Sequence, residues 1–204
     1  MSKDILSNNT LIKALSLSAL LAVSACNNDQ GKEHVGQWSL DSQQSELHFS
    51  STKNGDITEN HQFKRFDAVV GIEGNFSLSV DLTSVDTGIE IRDERMQKHL
   101  FMTDKTPKAV ITGQITSKDL PADSKTKTMA AELDLAGNKV DVEAEVTITR
   151  IDAGTLKVET AKPIVLSAEN LGLKAGVDKL QEIAGLNSIS DEVPVTFTFT
   201  MKKQ

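Results

Sequence analysis

SVDLTSVDTGIEIRDERMQKHLF, residues 79–101, carries two periodicities in succession. Upstream and into its first residues, Phe76, Leu78, Val80 and Leu82 fall on one side of an extended chain, and Ser77, Ser79 and Asp81 on the other. That two-residue period is a half-buried β-strand with one oily face. A polar segment with Asp86, Thr87 and Gly88 interrupts it. Asp93 to Leu100 then forms a compact helical patch, with Asp93 and Glu94 suited to the positive start of a helix and Lys98 to its end.

Working outward, strand patterns dominate: 38–41, 46–53, 63–70, 74–82, 88–92, 108–117, 127–135, 139–150, 155–159, 164–168 and 193–202. Val140, Val142, Ala144, Val146 and Ile148 alternate with polar residues, as do Val193, Val195, Phe197, Phe199 and Met201. Asn54-Gly55, Glu73-Gly74, Gly137-Asn138 and Ala153-Gly154 supply turns. Many antiparallel strands with one apolar face make a closed barrel or a sandwich, and periodicity does not separate the two. One longer helix is expected from Asn170 to Ala184, with Leu173, Val177, Leu180 and Ala184 as its apolar stripe and Gly185 ending it. It reads as a lid over one end of the sheet, or alternatively as a gating or membrane-facing element.

The first 25 residues read as an address. Lys3 and Lys13 precede a short apolar run, and Val23-Ser24-Ala25-Cys26 matches the bacterial lipoprotein cleavage box. The run is shorter than the ~20 residues a membrane span needs. Cys26 is the only cysteine of the 204 residues, so it is the expected lipidation site and no internal disulfide can form. Residues 26–35 read as a lipidated polar tether and 36–204 as one domain. Asn27 in place of the inner-membrane retention aspartate points to the periplasmic face of the outer membrane, for a Gram-negative source. The net charge is −7, and residues 1–25 carry one positive unit of it, so the remainder is more acidic still. No basic cluster beyond Lys202-Lys203 exists to hold nucleic acid or anionic head groups, which leaves the acyl chain as the membrane anchor.

The order of these elements resembles the YceI-like family of bacterial lipid-binding proteins. The likeness rests on "SVDTG", on "RDERM" after it and on "HLF" after that; it continues through Pro107–Gly113 and Ala161–Leu186, and spans Trp38 to Lys203. It implies a mainly β fold: an extended, lipocalin-like antiparallel barrel of about eight strands, with one short and one longer helix. It also implies a lumen enclosing a long isoprenoid chain. The chain departs from the family at Lys53-Asn54-Gly55, where relatives often read Lys-His-Leu-Gly, and at His61, where they often have glycine.

Phe49, Phe76, Leu78, Val80, Ile111, Val195, Phe197 and Phe199 are the candidate inward face. Read from the residues alone they are filled core or pocket wall; the resemblance makes them a lumen for a polyisoprenoid or similar amphiphile, such as a quinone, held for storage or transport. Little inward charge is expected. Arg92 and Arg95 are placed at the rim as head-group contacts. Arg92-Asp93-Glu94-Arg95 is also the one polar cluster an acid–base enzyme acting on a lipid could use; the structural reading is a charge network capping a short helix. His34, His48, His61 and His99 show no metal-ligand spacing, and His48 falls on the outward side of its strand. No nucleophile elbow, phosphate loop or dinucleotide fingerprint is present. The expectation is therefore a binding protein without catalytic residue, metal or cofactor, with a filled-barrel scaffold as the rival reading. Oligomeric state is not legible.

Overall fold

In the computed structural model, residues 34–204 are described. The expected signal peptide, Cys26 and most of the tether lie outside them. Twelve strand segments act as eight strands: β1 (Trp38–Leu40) and β2 (Glu46–Lys53), β3 (Ile57–Phe63) and β4 (Phe66–Val70), β5 (Asn75–Asp81) and β6 (Val85–Asp86), β7 (Lys108–Gln114), β8 (Ser124–Leu135), β9 (Asn138–Asp152), β10 (Thr155–Thr160) and β11 (Ile164–Ser167), and β12 (Glu192–Lys203). All pairs are antiparallel, and each strand pairs with its neighbour in sequence. β1 closes the ring, pairing with β12 through Trp38↔Lys203 and with β4 through Trp38↔Val70. The result is an eight-stranded up-and-down barrel, with no free sheet edge at the closure.

The breaks within strands have local causes. Between β1 and β2 the Asp41 carboxylate accepts from the Gln43 N–H at 3.2 Å and turns the chain once. Between β5 and β6 the Ser84 hydroxyl accepts from the Arg65 N–H at 2.9 Å, tying two kinks together. Beyond each kink the partner continues: β2 pairs β12 from Val195 to Thr198, and β11 takes the other edge of β12 from Glu192 to Val195. β9 and β11 do not pair, and a polar cleft of about 310 Å³ separates them.

Two helices cover the end formed by the β2–β3 hairpin. α1 (Glu90–Arg95) runs into a π-helical turn, Met96–Phe101, which stops at Met102 in the left-handed region, φ 50°. α2 (Lys174–Ala184) packs across that turn and stops at Gly185, φ 62°. The Asn54 N–H donates to Ser188 O at 2.9 Å, fixing the loop after α2 to the hairpin. The opposite end is stoppered by buried Val35, Trp38 and Ile115, with the Trp38 indole N–H donating to Val35 O at 3.3 Å.

Three expectations fail locally. The 88–92 strand is instead the start of α1. Gly88 at φ 75° turns the chain, and Asp93 Oδ1 accepts from the Thr87 N–H at 2.9 Å and the Thr87 hydroxyl at 2.6 Å, knotting the loop onto the first helical turn. The 63–70 strand begins only at Phe66: Phe63 ends β3, and Lys64 and Arg65 bend the chain between the two. α2 begins four residues later than expected, because Gly172 at φ 70° cannot continue a right-handed helix.

Candidate ligand cavity

The barrel is hollow. Its lumen and the space under the helices form one cavity of about 670 Å³, within the range of small-molecule sites. The room comes from inward positions that alternate large with small side chains: Ala68, Ala109, Ala131 and Ala144 face the lumen between Leu78, Ile111, Leu133 and Val146. Gly113 belongs to this set, since a Cβ there would lie 2.5 Å from the Phe76 ring. A core packed to ordinary interior density would leave no such space.

Phe49, Phe76, Leu78, Val80, Ile111, Val195, Phe197 and Phe199 all border this cavity. Phe197 and Phe199 stack at 4.4 Å, with Phe66 against Phe199 at 5.5 Å; a second row runs Phe49, Phe63, Phe101 at 5.2 and 5.9 Å. Leu173, Val177, Leu180 and Ala184 of the second helix also border it, so that helix is the cover of one end. Ile89 and Ile91, each about half exposed, form part of the same rim.

The expectation of little inward charge is wrong at the helix-covered end. Ser51, Lys53, Glu59, His61, Arg92 and Arg95 border the cavity there. Glu59 Oε2 accepts from Lys53 Nζ and from Arg92 Nη1, both at 2.7 Å, and Arg92 Nη2 donates to Thr87 O at 2.7 Å. The Lys53 hydrogen bond, with the nearby Arg92 charge behind it, holds the Glu59 carboxyl below its usual range against a partial burial that works the other way. His61 is only 4 % exposed, and its Nε2 lies 2.9 Å from the Ser51 hydroxyl. Burial, reinforced by Arg92, pushes its pKa below the ordinary 6.5, so the ring is neutral at pH 7. His61 Nδ1 and Arg92 Nε are buried without a hydrogen-bond partner.

Arg92 is thus not a free rim residue, whereas Arg95 makes no ion pair among the described residues. The carboxylates of the RDER cluster do not converge on the cavity: Asp93 is held by Thr87, and Glu94 points to solvent. His48 is outward, 3.2 Å from Glu46 Oε2. The polar group on β2 and β3 was within reach of sequence reasoning. Carrying the inward alternation on from Phe49 through the Asn54-Gly55 turn puts Ser51, Lys53, Glu59 and His61 on the lumen face.

Solved structures share this barrel. A polyisoprenoid-binding domain from Saccharophagus degradans, implicated in plant cell wall breakdown, is 30 % identical, with a TM-score of 0.78 over 82 % of this chain and 98 % of its own. BcnA of Burkholderia cenocepacia, 20 % identical, superposes at 0.64 over 79 % and 98 %. The YceI protein of Campylobacter jejuni, 16 % identical, superposes at 0.53 over 71 % and 84 %. Among curated protein sequences none is significantly similar. The pattern of the YceI-like domain matches residues 38–201, nearly the whole barrel, and the chain belongs to the YceI-like family.

Proposed function

We propose that this protein is a non-enzymatic, lipid-anchored carrier of the cell envelope, holding a polyisoprenoid or similar amphiphile, a prenylquinone among the options, in its lumen. The hollow apolar barrel carries this reading: a filled scaffold has no use for 670 Å³ of space walled by phenylalanine, leucine and alanine. The 30 % identity to a polyisoprenoid-binding domain supports it. Burying one five-carbon isoprene unit is worth ~3–4 kcal/mol at ~0.8 kcal/mol per methylene. Four units, ~12–16 kcal/mol gross, therefore offset an association cost of about 4–8 kcal/mol and reach micromolar affinity, about −8 kcal/mol. A sugar or nucleotide would find no partners along these walls to replace its lost hydration.

Ile111 pairs across the sheet with Leu78 and Leu133 at mid-lumen. Ile111→Trp fills that space without adding charge, and lipid extracted from the folded variant is expected to fall about tenfold against wild type, the loss of ~1.4 kcal/mol. Native mass spectrometry of protein from its own membranes reads both the loss and the ligand's mass; undiminished lipid in folded Ile111→Trp overturns the lumen reading.

The anchor is Cys26, acylated at its sulfur after cleavage, with Asn27 directing the mature protein to the periplasmic face of the outer membrane in a Gram-negative cell. Support lies in the Val23-Ser24-Ala25-Cys26 box, and no helix among the described residues is long and apolar enough to cross a membrane. Cys26→Ser is expected to move the protein from the membrane to the soluble fraction. A variant that still sediments with membranes refutes the anchor.

A further inference from the structure

The cavity is apolar along its length and unbalanced in charge at one end. Lys53, Arg92 and Arg95 border it there against one carboxylate, Glu59, in a chain whose net charge is −7. Glu59 already serves two of these cations through a single oxygen, Oε2. Arg95 has no ion-pair partner among the described residues, and Glu90 and Glu94 on the same helix are exposed. Arg92 Nε–H and His61 Nδ1 are buried and unpartnered, an arrangement that costs stability. Evolution of an empty apolar tube does not require any of these residues. An oxygen-rich anion does.

We infer that the helix-covered end of the lumen is an anion receptor for the ligand's head group: a phosphate or carboxylate seated between Arg95, Arg92 and Lys53, with Glu59 as the built-in counter-ion that holds the cations in place until the anion arrives. This rests on the lumen holding the ligand's chain, as proposed above. Arg95 supplies the unspent charge, and Arg92, already fixed by Thr87 O and Glu59, offers the remaining N–H. Reorienting either side chain would turn Arg92 Nε–H or His61 Nδ1, both buried and unpartnered, toward the same head group. The neutral imidazole accepts a hydrogen bond from a hydroxyl or donates one to an oxyanion according to its tautomer. A neutral quinone or alcohol would leave Lys53, Arg92 and Arg95 with Glu59 as the only carboxylate among the residues that border the cavity, an imbalance that ion pairing in a partly buried site normally avoids.

Delipidated full-length protein titrated calorimetrically with geranylgeranyl monophosphate, geranylgeraniol and menaquinone with a four-isoprene tail tests this at one chain length. The phosphate is expected to bind about tenfold tighter than either neutral probe, the strength of one well-formed charge-assisted contact, with the advantage shrinking as sodium chloride is raised. Arg95→Gln removes most of that advantage, lowering the phosphate's affinity severalfold more than the alcohol's. Glu59→Gln keeps the hydrogen bonds, removes the competing charge, and tightens the phosphate severalfold. The two variants thus have opposite signs, so general damage to the barrel cannot imitate both. Inorganic phosphate alone is expected not to displace the prenyl phosphate; displacement at equal concentration would make the ligand a free anion and overturn the head-group assignment. Equal affinity for phosphate and alcohol, or tighter quinone, overturns it as well and leaves the lumen reading standing. Failure of all three prenyl probes to bind removes the lumen reading itself.

Discussion

Gly176→Val detaches the covering helix from the barrel. A Cβ built on Gly176 lies 2.6 Å from His99 O and 2.8 Å from Leu100 Cα, both backbone atoms of the π-helical turn, which cannot swing aside as a side chain would. Valine adds two further methyls, so α2 has to move off the turn, and Leu173 and Val177, each under 9 % exposed, lose their cover with it. Overpacking against backbone belongs to the upper end of the usual range, about 3 kcal/mol. The expected results are a lowered denaturation midpoint, faster hydrogen exchange in residues 174–184 and leakage of lumenal lipid. Gly176→Ala is the sharper control, because helix propensity alone favours alanine by ~1 kcal/mol. A stabilised Gly176→Ala protein would mean that helix and turn do not approach so closely in solution.

The strands that sequence reading placed well are those whose inward face is wholly apolar. β12 and β9 show five alternating apolar positions each, and their bounds differ from expectation by one or two residues. β3 went unread for the opposite reason. Its inward residues are Ile57, Glu59, His61 and Phe63, and a strand that carries a polar site on its buried face loses the pattern that announces a strand. Ile89 and Ile91 show the reverse error. Two isoleucines on either side of Glu90 imitate a strand, while the turn that starts the helix after Ile89 is set by Gly88 and by an Asp93–Thr87 contact that no periodicity contains.

Hollowness was also beyond periodicity. Alternation shows which residues point inward and identified eight that border the cavity, but not whether their volumes fill the ring that strand pairing closes. That depends on where the small inward residues Ala68, Ala109, Ala131 and Ala144 fall against their larger neighbours, which strand register settles. The family resemblance supplied the expectation of a lumen. The Arg92–Glu59 pair joins residues 33 apart in sequence, across a helix and a strand that were both misplaced at that stage. Arg92 and Arg95 are legible as rim residues, but their convergence with Lys53, Glu59 and His61 depends on the pairing of β2 with β3.

Phe197→Asp abolishes lipid retention at neutral pH. Phe197 lies at mid-strand opposite Leu47, stacked on Phe199 at 4.4 Å, with its side chain on the cavity wall. Its backbone needs no side chain of its own to stay in the sheet: Phe197 N–H donates to the Thr160 hydroxyl at 3.3 Å, bridging the gap where β10 ends and β11 begins. Loss of the ring contact costs ~0.5–1.5 kcal/mol beyond its area, which a barrel can survive. A carboxylate facing a prenyl chain is different in kind, since its desolvation costs several kcal/mol and no cation lies at this depth to meet it. Affinity for geranylgeranyl monophosphate should fall by about a hundredfold or more, ~2.7 kcal/mol. Ligand binding favours the neutral acid, so the carboxyl's pKa rises from ~3.9 in the complex, and binding recovers as pH falls toward that value. Phe197→Asn, which has no proton to gain, should stay weak across the same range. Equal recovery in both variants would show that the acid dependence arises elsewhere; undiminished binding by Phe197→Asp at pH 7 would place the ligand's chain outside this part of the lumen.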